Sequence, residues 1–172
     1  MRTKVQWFNL VRSLNWVYIF ILLPLAGCAQ DESFDAMFHR LTRGAVPVVQ
    51  PSECAEKTGL IYLDAREPNE FAVSHIPSAR LVGYDDFKID SVRDLPKDAP
   101  IVVYCSVGYR SEKIGEELKK AGFTNVSNLY GGIFQWVNTG NPVYDAKGKT
   151  DRVHTYSKRW SKWLERGVKV YE

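Results

Sequence analysis

The chain predicts an α/β fold: a parallel sheet covered by helices on both faces. Three observations predict it. Short β-favouring runs alternate with segments of helical spacing from about residue 45 to residue 137. The run Ile101-Val102-Val103-Tyr104 is apolar without polar alternation, as in a strand buried on both faces. The 172 residues, 45% hydrophobic and 25% charged, suffice for one globular domain with a surplus at both ends. Such strand–helix units connect through right-handed crossovers.

At the start, Arg2, Lys4 and Arg12 precede an apolar run over residues 16–25 that is short for a membrane span. Leu25-Ala26-Gly27-Cys28 follows, and it resembles the lipobox of bacterial lipoproteins. That resemblance implies that residues 1–27 are a signal peptide and that Cys28 carries lipid. It implies anchorage to a membrane of the bacterial cell envelope, facing the periplasm; an uncleaved anchor helix is the competing reading. Residues 28–44 read as a linker with a lead-in helix, because Phe34, Met37, Phe38 and Leu41 recur at helical spacing with His39 off the stripe.

The domain proper is expected over residues 45–145. A first strand is predicted at 45–49, with Pro47 placing it near an edge. A helix then starts near Ser52 as its cap, and a strand over 60–63 ends at Asp64. Residues 67–72 read as helix and 79–82 as strand; 94–97 form a turn before the central strand at 101–104. Residues 111–121 carry Ile114, Leu118 and Ala121 on one face, and Gly122 ends that helix. A last strand is expected at 126–129 and a last helix at 132–137. Residues 146–172 read as an extension with an amphipathic helix over 157–166, built on Trp160, Trp163 and Leu164 in a basic segment.

The chemistry gathers where the central strand ends. Cys105 sits at the carboxyl edge of an open sheet, where ligands bind. Gly108 frees the backbone to turn N–H groups toward one point; the following helix adds its dipole and Arg110 a charge. These surroundings stabilise a thiolate or an anion built on it.

The segment Cys105-Ser106-Val107-Gly108-Tyr109-Arg110-Ser111 resembles the active-site loop of the rhodanese family, Cys-x-x-Gly-x-Arg-Ser. Leu63-Asp64-Ala65-Arg66 through Glu70-Phe71 and His75-Ile76-Pro77-Ser78-Ala79 resemble its upstream signature, and Leu129 to Trp136 with Gly140-Asn141-Pro142-Val143 its closing segment. Ser74 and Ser78 stand where the family has glycine, and Ser106 where many thiosulfate-using members have arginine. Glu70 is acidic where some two-domain members place a substrate-binding arginine.

The resemblance implies a five-stranded parallel sheet and a single-domain sulfurtransferase. Cys105 would carry a sulfane sulfur as a persulfide, held by the loop residues Ser106 to Ser111, with Asp64 and Arg66 structural beside the site. A small thiosulfate- or persulfide-type donor and a nucleophilic acceptor, a thiol or a protein, are the implied partners, with no cofactor.

Two other readings stay open. A phosphatase or arsenate reductase also uses a cysteine loop, but phosphatases of this fold have five residues between cysteine and arginine where this chain has four. A non-catalytic rhodanese module commonly lacks the cysteine. With neither a Cys-x-x-Cys pair nor clustered histidines, no zinc site is expected. A net charge of +3 with scattered basic residues gives no nucleic-acid footprint. Cys54 reads as a buried small residue with a resolving role left open, His75 as part of a structural turn, and His154 has no assigned role.

Overall fold

The computed structural model describes residues 32–171; residues 1–27, expected to be a signal peptide, and Cys28 lie outside them. A lead-in helix α1 (Phe34–Leu41) comes first, capped by the Ser33 hydroxyl, with Met37 and Phe38 buried and His39 exposed. Then β1 (Val48–Val49), α2 (Pro51–Ala55), β2 (Ile61–Asp64), α3 (Pro68–Val73) and β3 (Arg80–Leu81) follow. A 3-10 turn at Ile89–Val92 leads to β4 (Ile101–Tyr104), α4 (Tyr109–Lys120), β5 (Val126–Leu129) and α5 (Gly132–Asn138).

The five strands form one parallel sheet in the order β1-β5-β4-β2-β3. The predicted α/β class and helical cover on both faces hold, and the strand sequence shows how. Along β4, Val102 and Tyr104 join the cluster with Met37, Ile133 and Trp136, while Ile101 and Val103 join Ile114 and Leu118. Successive side chains point to opposite faces, so a strand covered on both sides must be apolar throughout. β4 is buried at all four positions.

Boundaries moved where local chemistry competed with pattern. The first strand shrinks to two residues, at the sheet edge as Pro47 required, since proline has no N–H for the ladder. Ser52 is not the cap of α2: Gln50 is, with its N–H received by Glu53 and Pro51 in the first turn. Ser78, in place of a glycine, takes φ +61°, a left-handed conformation that costs about 1–2 kcal/mol in a residue with a Cβ.

The larger correction is the C-terminal extension. No α-helix forms over 157–166. The chain makes a hairpin from β6 (Val143–Asp145) and β7 (Gly148–Thr150), then a parallel pair from β8 (Arg152–His154) and β9 (Val168–Val170). Between the last two is a single 3-10 turn, Ser161–Trp163. Asn138 of α5 ends that turn: its amide donates to Trp163 C=O at 3.0 Å and accepts from Glu165 and Arg166 N–H at 2.8 and 3.2 Å. The spacing of Trp160, Trp163 and Leu164 was core packing, with Leu164 fully buried, and did not require a helix. Residues 32–171 belong to one compact unit, so the extension is part of the fold.

Candidate active site

Cys105 follows β4 directly and is buried. The sequence placed the next helix at residue 111; it begins at Tyr109, with Gly108 as its N-terminal cap at φ +114°. That earlier start tightens the turn and brings the Gly108 N–H to 3.1 Å from Cys105 Sγ. Gly108 is also fixed from outside, because a Cβ there would lie 2.5 Å from the Phe38 ring of α1. The lead-in helix is thus a wall of the loop. Ser111 Oγ lies 3.6 Å from the sulfur and 2.7 Å from Asn128 Oδ1, and the Asn128 amide donates to Gly108 C=O at 2.9 Å.

A second brace comes from the turn before α5. Ile133 N–H donates to Cys105 C=O at 2.8 Å, and Phe134 N–H to Ser106 C=O at 3.3 Å. Gly132 has φ +55°, and a Cβ there would stand 2.1 Å from the Cys105 carbonyl oxygen. The close approach demands glycine. Of the expected loop residues, Gly108 and Ser111 contact the sulfur directly.

Arg110 lines the cavity at Cys105 and interacts with the thiol electrostatically, and its guanidinium is also held by a partner that the sequence did not show. It forks onto the carboxylate of Glu70 at 2.6 and 2.8 Å, and Ser106 Oγ donates to the same carboxylate at 3.1 Å. Glu70 is buried at the third position of α3, where it also receives the Glu67 N–H at 3.0 Å. Burial pushes the Glu70 carboxyl up, but the Arg110 fork, the Glu67 N–H and nearby Arg66 outweigh it and hold it below its usual range.

Asp64 and Arg66 form a fully buried ion pair at 2.6 Å. Arg66 also donates to Ser74 C=O at 2.7 Å, tying β2 to the end of α3. His75 stacks flat on Phe71 at 4.0 Å, with Nδ1 3.1 Å from Phe71 C=O, a turn contact away from the sulfur. Cys54 is a free, buried thiol; burial, the largest cause, pushes it up, and a Tyr62 hydrogen bond opposes this.

A cavity of about 440 Å³ opens over Cys105. Its walls include Leu41 from α1, Tyr84 and Tyr109, and Tyr156 and Trp160 from the C-terminal extension. The Tyr156 ring covers Arg110 at 5.4 Å, on a backbone with φ +63°. His154 is buried, with Nδ1 3.9 Å from Glu70 and accepting the Tyr156 N–H at 3.2 Å. Sequence reasoning missed Asn128, Gly132, Tyr156 and the pairing of Glu70 with Arg110. Gly132 carried a signal, as part of the glycine pair in the closing segment, and Asn128 another, as an amide in a buried strand.

Residues 51–139 match the model of the rhodanese-like domain. The chain belongs to the rhodanese-like domain family. This rhodanese domain is 33% identical over 107 residues to the thiosulfate sulfurtransferase GlpE of Pseudomonas putida, covering 62% of this chain and 94% of that protein. It is 33% identical over 94 residues to a sulfurtransferase of Allochromatium vinosum, covering 55% and 87%. Against a probable adenylyltransferase/sulfurtransferase of Mycobacterium tuberculosis it is 34% identical over 84 residues, 48% of this chain and only 21% of that longer protein. A Bacillus halodurans structure shares the fold with TM-score 0.54 at 20% identity, covering 67% of this chain and 89% of the other. The rhodanese-like domain of an Anabaena protein aligns with TM-score 0.52 at 26% identity, covering 58% and 79%.

Proposed function

We propose that this rhodanese domain transfers sulfane sulfur through a persulfide on Cys105. The observation that carries the reading is the thiol's position: at the carboxyl end of β4, on the Gly108 N–H, at a cavity that admits a small molecule. The Cys105 thiolate attacks the outer sulfur of a thiosulfate- or persulfide-type donor. The donor's S–S bond breaks, its remaining fragment leaves as an anion, and the Cys105 persulfide forms. A nucleophilic acceptor then takes the outer sulfur and releases the thiolate. The loop stabilises a terminal anionic sulfur by hydrogen bonding to N–H groups, and the helix behind it adds the positive end of its dipole.

Phosphatase chemistry is less well supported. It needs a cationic cradle for a tetrahedral oxyanion, and here the loop guanidinium is committed to Glu70. Cys105→Ser should lower transfer by about a hundredfold or more while leaving the circular dichroism spectrum unchanged. Residual transfer near the wild-type rate would move the carrier elsewhere.

Membrane attachment is part of the proposal. Cys28 lipidation would hold the domain on a membrane of the cell envelope, and more than one acyl chain would make the hold stable. A fatty-acid analogue should label the wild type and not Cys28→Ser; equal labelling would favour an uncleaved anchor.

A further inference from the structure

The cavity over Cys105 is built for something other than a small dianion. It is wider than one oxyanion needs, and aromatic and aliphatic side chains from three parts of the chain wall it. Its charges run the wrong way for thiosulfate. The Arg110 guanidinium in its lining is bonded to Glu70 through both terminal nitrogens, and the Tyr156 ring covers it. The two other charged residues of the lining, Glu67 and Asp85, are carboxylates. On the same side, Lys113 is paired with Glu116 at 2.7 Å, and the exposed Lys158 and Arg159 of the extension lie outside the lining. A dianion entering here meets two carboxylates and a cation already paired with Glu70. An ammonium group meets those carboxylates and the faces of tyrosine and tryptophan rings, which attract cations.

We propose that the exchange partner at Cys105 is a small organic thiol, met as acceptor or as its persulfide, with an ammonium or uncharged tail, and that anionic partners such as thiosulfate are selected against. The inference rests on the persulfide reading and adds its substrate class. In the acceptor direction, the thiolate R–S⁻ attacks the outer sulfur of the Cys105 persulfide. The S–S bond to Cys105 breaks, R–S–S⁻ leaves, and Cys105 returns as thiolate. Electrons balance without an outside oxidant.

The test uses the full chain in detergent, loaded with the persulfide of mercaptoethanol, whose tail is uncharged, and checked by peptide mass for one added sulfur on Cys105. Transfer is then timed to cysteamine, mercaptoethanol and mercaptoethanesulfonate, two-carbon thiols with positive, neutral and negative tails. Rates per thiolate should fall in that order, cysteamine exceeding the sulfonate by about tenfold or more at low salt. Asp85→Lys, compared only as protein whose loading is verified by peptide mass, should shrink that ratio by about tenfold. Equal or reversed rates in the wild type, or a ratio unmoved by Asp85→Lys, would overturn the substrate class alone. Failure of Cys105 to load would overturn the persulfide reading and this inference with it.

Discussion

Glu70→Gln removes one charge from the loop while keeping the side chain's size. The Glu70 side chain is 2% exposed and that of Arg110 14%, so the pair is largely shielded from water. Stripping one partner from a buried ion pair costs about 3–5 kcal/mol, because the remaining charge is left uncompensated. Two features reduce this: the glutamine oxygen still accepts one hydrogen bond, and Arg110 borders the cavity and can recruit water. About 2–3 kcal/mol remains. For a domain of this size each kcal/mol moves Tm by about 3–5 °C, so the variant should melt roughly 6–15 °C lower at neutral pH. Calorimetry across pH adds a second reading. Because the folded protein holds the Glu70 carboxyl below its usual range, the pair's stabilisation is complete above the unfolded-state value and is lost as pH falls through the folded one. The gap between wild type and variant should therefore close in acid. A Tm change under about 2 °C at neutral pH, or a gap independent of pH, would refute the counter-ion role.

Two further substitutions probe the frame. Gly132→Ala combines a left-handed backbone with a Cβ 2.1 Å from the Cys105 carbonyl; it should cost about 2–4 kcal/mol and slow transfer together, read by melting and by rate. Leu164→Ala, in the fully buried part of the extension, should cost about 2–4 kcal/mol in chemical denaturation; a change below about 0.5 kcal/mol would detach the extension from the core.

The sheet was legible because its information is local. β4 and β5 fall at the predicted residues, since a short apolar run bounded by turn signals has few other solutions. The loop was legible for the same reason: seven consecutive residues carry it. What surrounds the loop was not. Glu70 and Arg110 are forty residues apart and Ser111 and Asn128 seventeen, and nothing in either local pattern names its partner. Arg110 read as a charge in the loop without a partner, because its carboxylate lies on another helix. The extension misled for a different reason. Trp160, Trp163 and Leu164 match helical spacing, but Asn138 takes up the backbone groups that would continue a helix and turns the chain into β9. Tertiary hydrogen bonding overrode periodicity there, and it delivered Tyr156 and Trp160 to the cavity.

The central claim is that Cys105 carries the sulfur. Incubating the full chain with thiosulfate, inorganic polysulfide or an organic persulfide, followed by intact-mass and peptide analysis under non-reducing conditions, tests it most directly. The account predicts one added sulfur on the peptide holding Cys105, removed by a thiol acceptor and absent in Cys105→Ser. Added sulfur on Cys54 instead, or none with any donor while the protein remains folded, would contradict it.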